Sequence, residues 1–309
     1  MMHRRGLLAG LAALPVAPAW GRPPAKPRFS AGPVVATSSL PGIVAYARMD
    51  LPGEALADAA LAAAPMMPAS TLKAVTALYA LAKLGRSRRF ATRVIRAGGT
   101  LVLAGGGDPL LSTDDLAGLA RDLAATGQPA PARFAVWGGA LPQIEEIAPA
   151  QADHLAYNPA LSGMILNFNR VHLDWRQGGS QMSLEARAAS HSPRAYTITA
   201  APGDRFSWQD NGAHETWTIA RAAIARPGSR WLPVRKPELY AGDVFQTLCR
   251  AQGLVLPAPE VIRDLPAGEV IASHSSPPLE EILRGMLHYS TNLTAEVLGL
   301  HASGAADPA

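Results

Sequence analysis

The feature that most restricts the fold is a change of hydrophobic period in mid-chain. Between about residues 130 and 235 the sequence reads as short strands: ARFAVWGG, MILNFNRVHLDWR, RAYTITA and HETWTIARAAIA, broken by Gly, Pro, Asn and Asp. Helical spacing lies on either side, in PASTLKAVTALYALAKLG before it and in ELYAGDVFQTLCRAQGL and SSPPLEEILRGMLHYSTNLTAEVLGL after it. There is no internal repeat. Two complete domains in tandem would leave the last helices without a sheet to cover. The order therefore predicts a mixed α/β domain interrupted by a β-rich insertion.

The first twenty residues stand outside this pattern. MMHRR is a basic start, GLLAGLAALPV an apolar run too short to cross a bilayer, and Ala17-Pro18-Ala19 a small-residue cleavage triplet. Residues 1–19 read as a signal peptide, with Arg4 and Arg5 leaving the twin-arginine route open beside the general one. No later stretch is long and apolar enough to span a membrane, so a periplasmic location is expected for the mature chain. GRPPAKPRFSAGP then forms an aperiodic, proline-rich lead-in.

Composition excludes several classes. With 48% hydrophobic and 17% charged residues the chain can bury a core, which argues against disorder. Its net charge of +4 comes with no basic run interleaved with aromatics beyond the leader, so nucleic acid is not an expected partner. Cys249 is the single cysteine and reads as a small buried apolar residue. The eight histidines show no ligand spacing, and neither a metal nor an organic cofactor is expected.

Local signals fill in the rest. GIVAYARMD reads as a strand and LPGEALADAA as a turn into a weaker one. In the helix that follows, Leu72, Val75, Leu78, Tyr79 and Ala82 form an apolar stripe, and Gly85 is the expected C-cap. RFATRVIRAGGTLVLAGGGDPLL predicts strands joined by glycine turns. STDDLAGLARDLAATG predicts a helix with a Ser/Thr/Asp cap and acids in its first turn. GGGDP (Gly105 to Pro109) lacks the Gly-Lys-Ser/Thr ending of a phosphate loop and reads as a tight turn.

Two short motifs carry chemistry. Ser70 and Lys73 are three apart, and i and i+3 on a helix share a face, so the amine can lie beside the hydroxyl. A serine hydroxyl needs such a base to become nucleophilic, and burial would help keep the lysine neutral. Far downstream, Ser290, Thr291 and Asn292 form a Ser-x-Asn triplet between two helical stretches. Ser290 could relay a proton to a leaving amine, and Asn292 could orient Lys73 or hold a substrate amide. Taken singly, Ser70 also fits a helix N-cap with a solvated Lys73, and Ser290 and Asn292 fit an interhelix turn.

Taken in order, these segments resemble the class C low-molecular-mass penicillin-binding proteins, which are D-alanyl-D-alanine carboxypeptidases/endopeptidases. PASTLKAVTALYALAKLG is similar to that family's nucleophile helix, and LVLAGGGDPLLSTDDLAGLA to its strand, Gly-Asp-Pro turn and following helix. LAYNPALSGMILNFNRVHLDW resembles its Tyr-x-x-Pro and Leu-x-x-Asn-x-Asn segment, through Tyr157, Pro159, Asn167 and Asn169. SSPPLEEILRGMLHYSTNLTAEVLG resembles the helix leading to the Ser-x-Asn site and the Asn-x-x-Ala-Glu helix after it. The resemblance implies a penicillin-binding-protein/β-lactamase-like transpeptidase domain with a large inserted module. It implies Ser70 as the acylated nucleophile, Lys73 as its general base, and Ser290 and Asn292 as the second catalytic element. The substrate would be peptidoglycan stem peptides, with β-lactams as inhibitors.

The family's third motif, Lys-Thr-Gly, has no counterpart here: no lysine follows Lys236, and the one Gly-Thr pair is Gly99-Thr100. The expectation is a chain truncated before that motif, with its transpeptidase domain incomplete. Its parts would be the signal peptide 1–19, a first transpeptidase segment 20–95, the β-rich insertion 96–265 and a second segment 266–309. A non-catalytic wall-binding or scaffold protein is the alternative that this gap encourages. A serine β-lactamase fits less well, given the long insertion and no deacylating glutamate near the second motif.

Overall fold

The computed structural model describes residues 30–39, 41–50 and 55–304. The expected signal peptide, the lead-in up to residue 29 and the turn expected at the start of LPGEALADAA lie outside the described residues. The described chain divides into two compact units, with the boundary after Pro68.

The first unit holds helix α1 (Ala31–Thr37) and an antiparallel pair, β1 (Tyr46–Asp50) and β2 (Ala55–Ala60). Both expected strands are present. Asp58 ties the unit together: its Oδ2 accepts from the Ala31 backbone N–H at 2.8 Å and from Ser30 Oγ at 3.0 Å. These bonds hold its carboxyl below the usual range.

The second unit runs α2 (Leu72–Leu84), β3 (Ala91–Ala97), β4 (Thr100–Ala104), α3 (Thr113–Ala125), β5 (Arg133–Trp137), β6 (Arg170–Trp175), β7 (Ser183–Glu185), β8 (Ile198–Gly203), β9 (Ser207–Asp210), β10 (Glu215–Ala220), β11 (Gly228–Pro233), α4 (Pro237–Ala251), β12 (Pro259–Ile262), β13 (Glu269–Ser275), α5 (Leu279–Tyr289) and α6 (Asn292–Ser303). The strands form a five-stranded sheet ordered β12-β5-β4-β3-β13 and two three-stranded sheets, β11-β6-β7 and β8-β10-β9.

The larger sheet follows from simple alternation. Leu101 and Leu103 of β4 face one side, with Val94, Phe134 and Val136, against Leu116, Leu119 and Leu123 of α3 and Val244, Phe245 and Leu248 of α4. Val102 and Ala104 face the other side with Ile95 and Ala135. Pairs β4–β5 and β5–β12 are parallel, which requires crossovers, and α3 and α4 stand in those places. Helix α3 opens as the sequence predicts, with a Ser112/Asp115 capping box. The sheet reaches beyond residues 96–265: β3 at 91–97 pairs with β13 at 269–275, so its edge is built from chain on both sides of that span.

Helices α2, α5 and α6 pack together around Ala77, Ala80, Phe90, Ile282, Leu283, Met286 and Leu298. The apolar stripe of α2 marks the helix but does not face this packing. Leu72, Val75, Leu78, Tyr79 and Ala82 are exposed, and the opposite face, Lys73, Ala77 and Ala80, is buried. Small side chains on that face let α5 and α6 approach closely, which a stripe of leucines would prevent. The same packing carries Lys73 into the interior. The far side of α6 (Leu293, Val297, Leu300) packs against Leu141, Leu161 and Ile165, joining the helices to the β-rich chain.

The GGGDP turn lies against this helical layer. A Cβ on Gly105 would meet the Gly163 carbonyl oxygen at 2.4 Å, and one on Gly107 (φ +73°) would meet His301 of α6 at 2.3 Å. The glycines serve close approach, as a turn reading requires.

Candidate active site

Ser70 sits in a short 3-10 turn, Ala69–Thr71, that leads into α2. It is not the N-cap of that helix; Thr71 occupies that position and makes no side-chain cap bond. Lys73 lies three residues on, with only 8% of its surface exposed. Its amine reaches Ser70 Oγ at 3.0 Å, Ser290 Oγ at 3.4 Å and Asn292 Oδ1 at 2.8 Å. All four residues singled out in the sequence therefore meet at one nitrogen.

The downstream pair is placed by a sharp helix–helix joint. Ser290 ends α5 in the left-handed region (φ +55°, ψ +41°), and Asn292 begins α6 two residues later. A non-glycine residue in that region costs on the order of 1–3 kcal/mol, a strain that clusters at functional sites. It turns the Ser290 hydroxyl and the Asn292 amide onto one amine.

Electrostatics favours a basic Lys73. Burial lowers its pKa from the ordinary lysine range, and Glu296 pulls against that shift. Three neutral oxygens satisfy the amine, and among the described residues no carboxylate bonds it directly. The 3.0 Å separation from Ser70 serves either direction: a charged Lys73 donates to Oγ, and a neutral one accepts the Ser70 proton.

Two cavities flank this cluster. One, of about 420 Å³, is lined by Ser70, Lys73, Gln151, Asn292 and Glu296. The other, of about 130 Å³, touches Tyr157, Phe168, Arg170, Tyr289, Ser290 and Asn292. Chain from the β-rich stretch thus walls the helical site on both sides. Asn167, Phe168 and Asn169 all have φ near +50° to +60°, and the two asparagines hold this left-handed turn. Asn167 bonds Thr113 through both amide atoms, and Asn169 bonds Leu166 N and Ala160 O. The turn presents Phe168 with the Arg170 guanidinium 4.9 Å over its ring. A larger cavity of about 500 Å³ lies against Trp208, Lys236 and Glu238, but it brings no serine hydroxyl to a lysine amine.

Sequence reasoning missed Gln151, Phe168, Arg170 and Glu296 as site residues. Glu296 had a readable signal, since it follows Asn292 by one helical turn on the same face. Gln151 and Arg170 had none, because long-range packing brings them to the cavities.

Comparison with known proteins decides the family. Residues 51–307 match the D-Ala-D-Ala carboxypeptidase 3 (S13) family. The chain belongs to this family. A D-alanyl-D-alanine carboxypeptidase of Actinomadura sp. (strain R39) is 28% identical over 269 residues, covering 75% of this chain and 49% of that protein. A carboxypeptidase of Mycobacterium tuberculosis is 29% identical over 240 residues, covering 76% of this chain and 42% of its own. The chain spans about half the length of the curated relatives it matches. Among solved structures, penicillin-binding protein 4 of Haemophilus influenzae superposes with a TM-score of 0.58 at 19% identity, over 75% of this chain and 56% of that one. A second structure of that protein, complexed with a β-lactam, gives a TM-score of 0.54. The expected mixed α/β, penicillin-binding-protein-like fold is therefore shown. No helix among the described residues is long and apolar enough to cross a membrane.

Proposed function

We propose that this chain carries the serine–lysine half of a D-Ala-D-Ala carboxypeptidase that acts on peptidoglycan stem peptides through an acyl-enzyme on Ser70. The observation that carries the reading is the convergence of Ser70, Ser290 and Asn292 on the buried amine of Lys73, at 3.0, 3.4 and 2.8 Å. Ser70 Oγ attacks the carbonyl carbon of the scissile bond while its proton passes to neutral Lys73. The bond to the terminal D-alanine breaks, and the proton moves through Ser290 to the leaving amine. Water then attacks the Ser70 ester, returning the hydroxyl and releasing the shortened peptide. Asn292 holds the amine in line throughout. A β-lactam offers Ser70 a similar carbonyl with a tethered leaving nitrogen, which makes such compounds inhibitors. The leader-like start at residues 1–19 supports action on the cell wall after export to the periplasm.

The test is covalent labelling by a fluorescent penicillin, followed by mapping of the modified peptide. The wild type labels at Ser70, and Ser70→Ala does not. Equal labelling of both proteins rules out the assigned nucleophile. Peptidoglycan capture without labelling or peptide release favours the non-catalytic wall-binding alternative.

A further inference from the structure

The cavity beside Ser70 is lined by eleven residues, and among them only Lys73 and Glu296 carry ionisable side chains. Both belong to tightly packed helices. Lys73 projects from the buried face of α2, and Glu296 follows Asn292 by four residues on α6. Four residues advance a helix by about one turn, roughly 6 Å of rise, and keep the side chains on one face. The Asn292 amide oxygen bonds the Lys73 amine at 2.8 Å, so the Glu296 carboxylate stands one turn beyond that contact, facing the same open volume. The amine's three donors already meet Ser70, Ser290 and Asn292, all neutral oxygens. Glu296 can act on Lys73 only through space or through bound water.

We infer that Glu296 is a positioning residue whose carboxylate supplies the counter-charge for Lys73 when that amine takes the Ser70 proton. The catalytic consequence rests on the acyl-enzyme reading above; the electrostatic pairing does not. As the Ser70 Oγ–carbon bond forms, the hydroxyl proton moves to the Lys73 nitrogen lone pair and an ammonium appears on a side chain that is itself buried. A carboxylate lining the same cavity stabilises that charge where it develops. When the proton passes on through Ser290 to the leaving amine, Lys73 returns to its neutral form and Glu296 is unchanged. The two groups pull each other's ionisation in the directions this pairing requires. Burial lowers the Lys73 pKa and Glu296 opposes that. Partial loss of hydration raises the Glu296 pKa, though much of the residue stays exposed, and Lys73 opposes that in turn. The other ionisable side chains near the cluster, Tyr289 and Arg170, line the second cavity beside Ser290 and Asn292.

The test reads the Lys73 charge directly. Competitive labelling with acetic anhydride across pH, quantified by mass spectrometry of the Lys73 peptide, gives its titration midpoint in the wild type, Glu296→Gln and Glu296→Asp. The midpoint should fall in Glu296→Gln and lie between the two in Glu296→Asp. In parallel, the rate of Ser70 acylation by a penicillin should drop at least about tenfold in Glu296→Gln on the alkaline plateau, with the acid limb moved to lower pH. Glu296→Asp should restore much of the plateau rate. An unchanged Lys73 midpoint in a folded Glu296→Gln protein overturns the inference. If Glu296→Gln fails to fold, a wild-type midpoint in Glu296→Asp overturns it as well. A midpoint that moves while the wild type shows no acylation sinks the acyl-enzyme reading and leaves the pairing standing.

Discussion

Lys73 Nζ lies 2.8 Å from Asn292 Oδ1, a contact between residues 219 positions apart in the chain. It fixes the amine of α2 to the first residue of α6 and sets the direction in which the amine meets Ser70. A hydrogen bond to a charged group contributes about 1.5–3 kcal/mol. Asn292→Ala should therefore slow acylation of Ser70 by about 10- to 100-fold and leave penicillin recognition largely intact. Stopped-flow measurement of the acylation rate against inhibitor concentration separates these two effects. A loss confined to affinity would show that Asn292 contacts the ligand and does not orient Lys73.

Ser290 yields a prediction of opposite sign for stability and activity. Its left-handed backbone (φ +55°) suits glycine better than serine. Ser290→Gly should keep or raise the thermal midpoint, by a few degrees for a unit of this size, because strain of about 1 kcal/mol is released. The same change removes the relay hydroxyl and should slow acylation by about 10²-fold or more. Calorimetry and penicillin labelling of one protein sample check both. A clear drop in midpoint would mean that the serine side chain stabilises the joint and that no strain is held there.

Much of this was legible in the sequence because local rules suffice for it. The three-residue spacing of Ser70 and Lys73 is legible at a helix start, although Ser70 itself sits in the 3-10 turn before α2. Ser112 and Asp115 are fixed by capping chemistry, and the strands of the central sheet by alternation in TLVLA and RFAVW. The buried face of α2 was not legible, because the pattern of large apolar residues pointed to the wrong side. The packing partners α5 and α6 come from the far end of the chain and select the small residues Ala77 and Ala80. Arg170 and Gln151 are likewise placed by distant partners, through an asparagine-held turn and a loop that no spacing rule reaches.

Cys249 offers a probe of folding. The thiol is fully buried in α4, and burial pushes its pKa up to about 12, so almost no thiolate is present at neutral pH. Iodoacetamide should leave it unmodified in the native protein for hours and alkylate it within minutes in denaturant. Mass spectrometry of the intact chain follows the change. Rapid alkylation under native conditions would mean that α4 opens without global unfolding.

Glu215 makes a prediction about pH and stability. The residue is 1% exposed at the start of β10, where its Oε2 accepts from the Arg235 backbone N–H at 2.9 Å and from Trp208 Nε1 at 3.1 Å. Its other oxygen, Oε1, is buried without a hydrogen-bond partner. Burial outweighs these bonds and raises its pKa from 4.5 to about 7. Between those two values the folded protein keeps a proton that the unfolded chain has lost. Stability contributed by this group is therefore fully present below about pH 4.5 and is lost as pH rises toward and through 7. Asp108, the acid of the GGGDP turn, is raised from 3.8 to about 7 by burial and adds a loss of the same sign. Glu215→Gln keeps an acceptor for Arg235 and Trp208 without the charge. It should match the wild type at pH 4 and exceed it at pH 8 by roughly 3 kcal/mol, following the size of the shift. Urea denaturation of both proteins at a series of pH values measures this directly. Parallel curves from pH 4 to 8 would mean that Glu215 is already ionised in the folded state and that Arg235 and Lys236 compensate its charge.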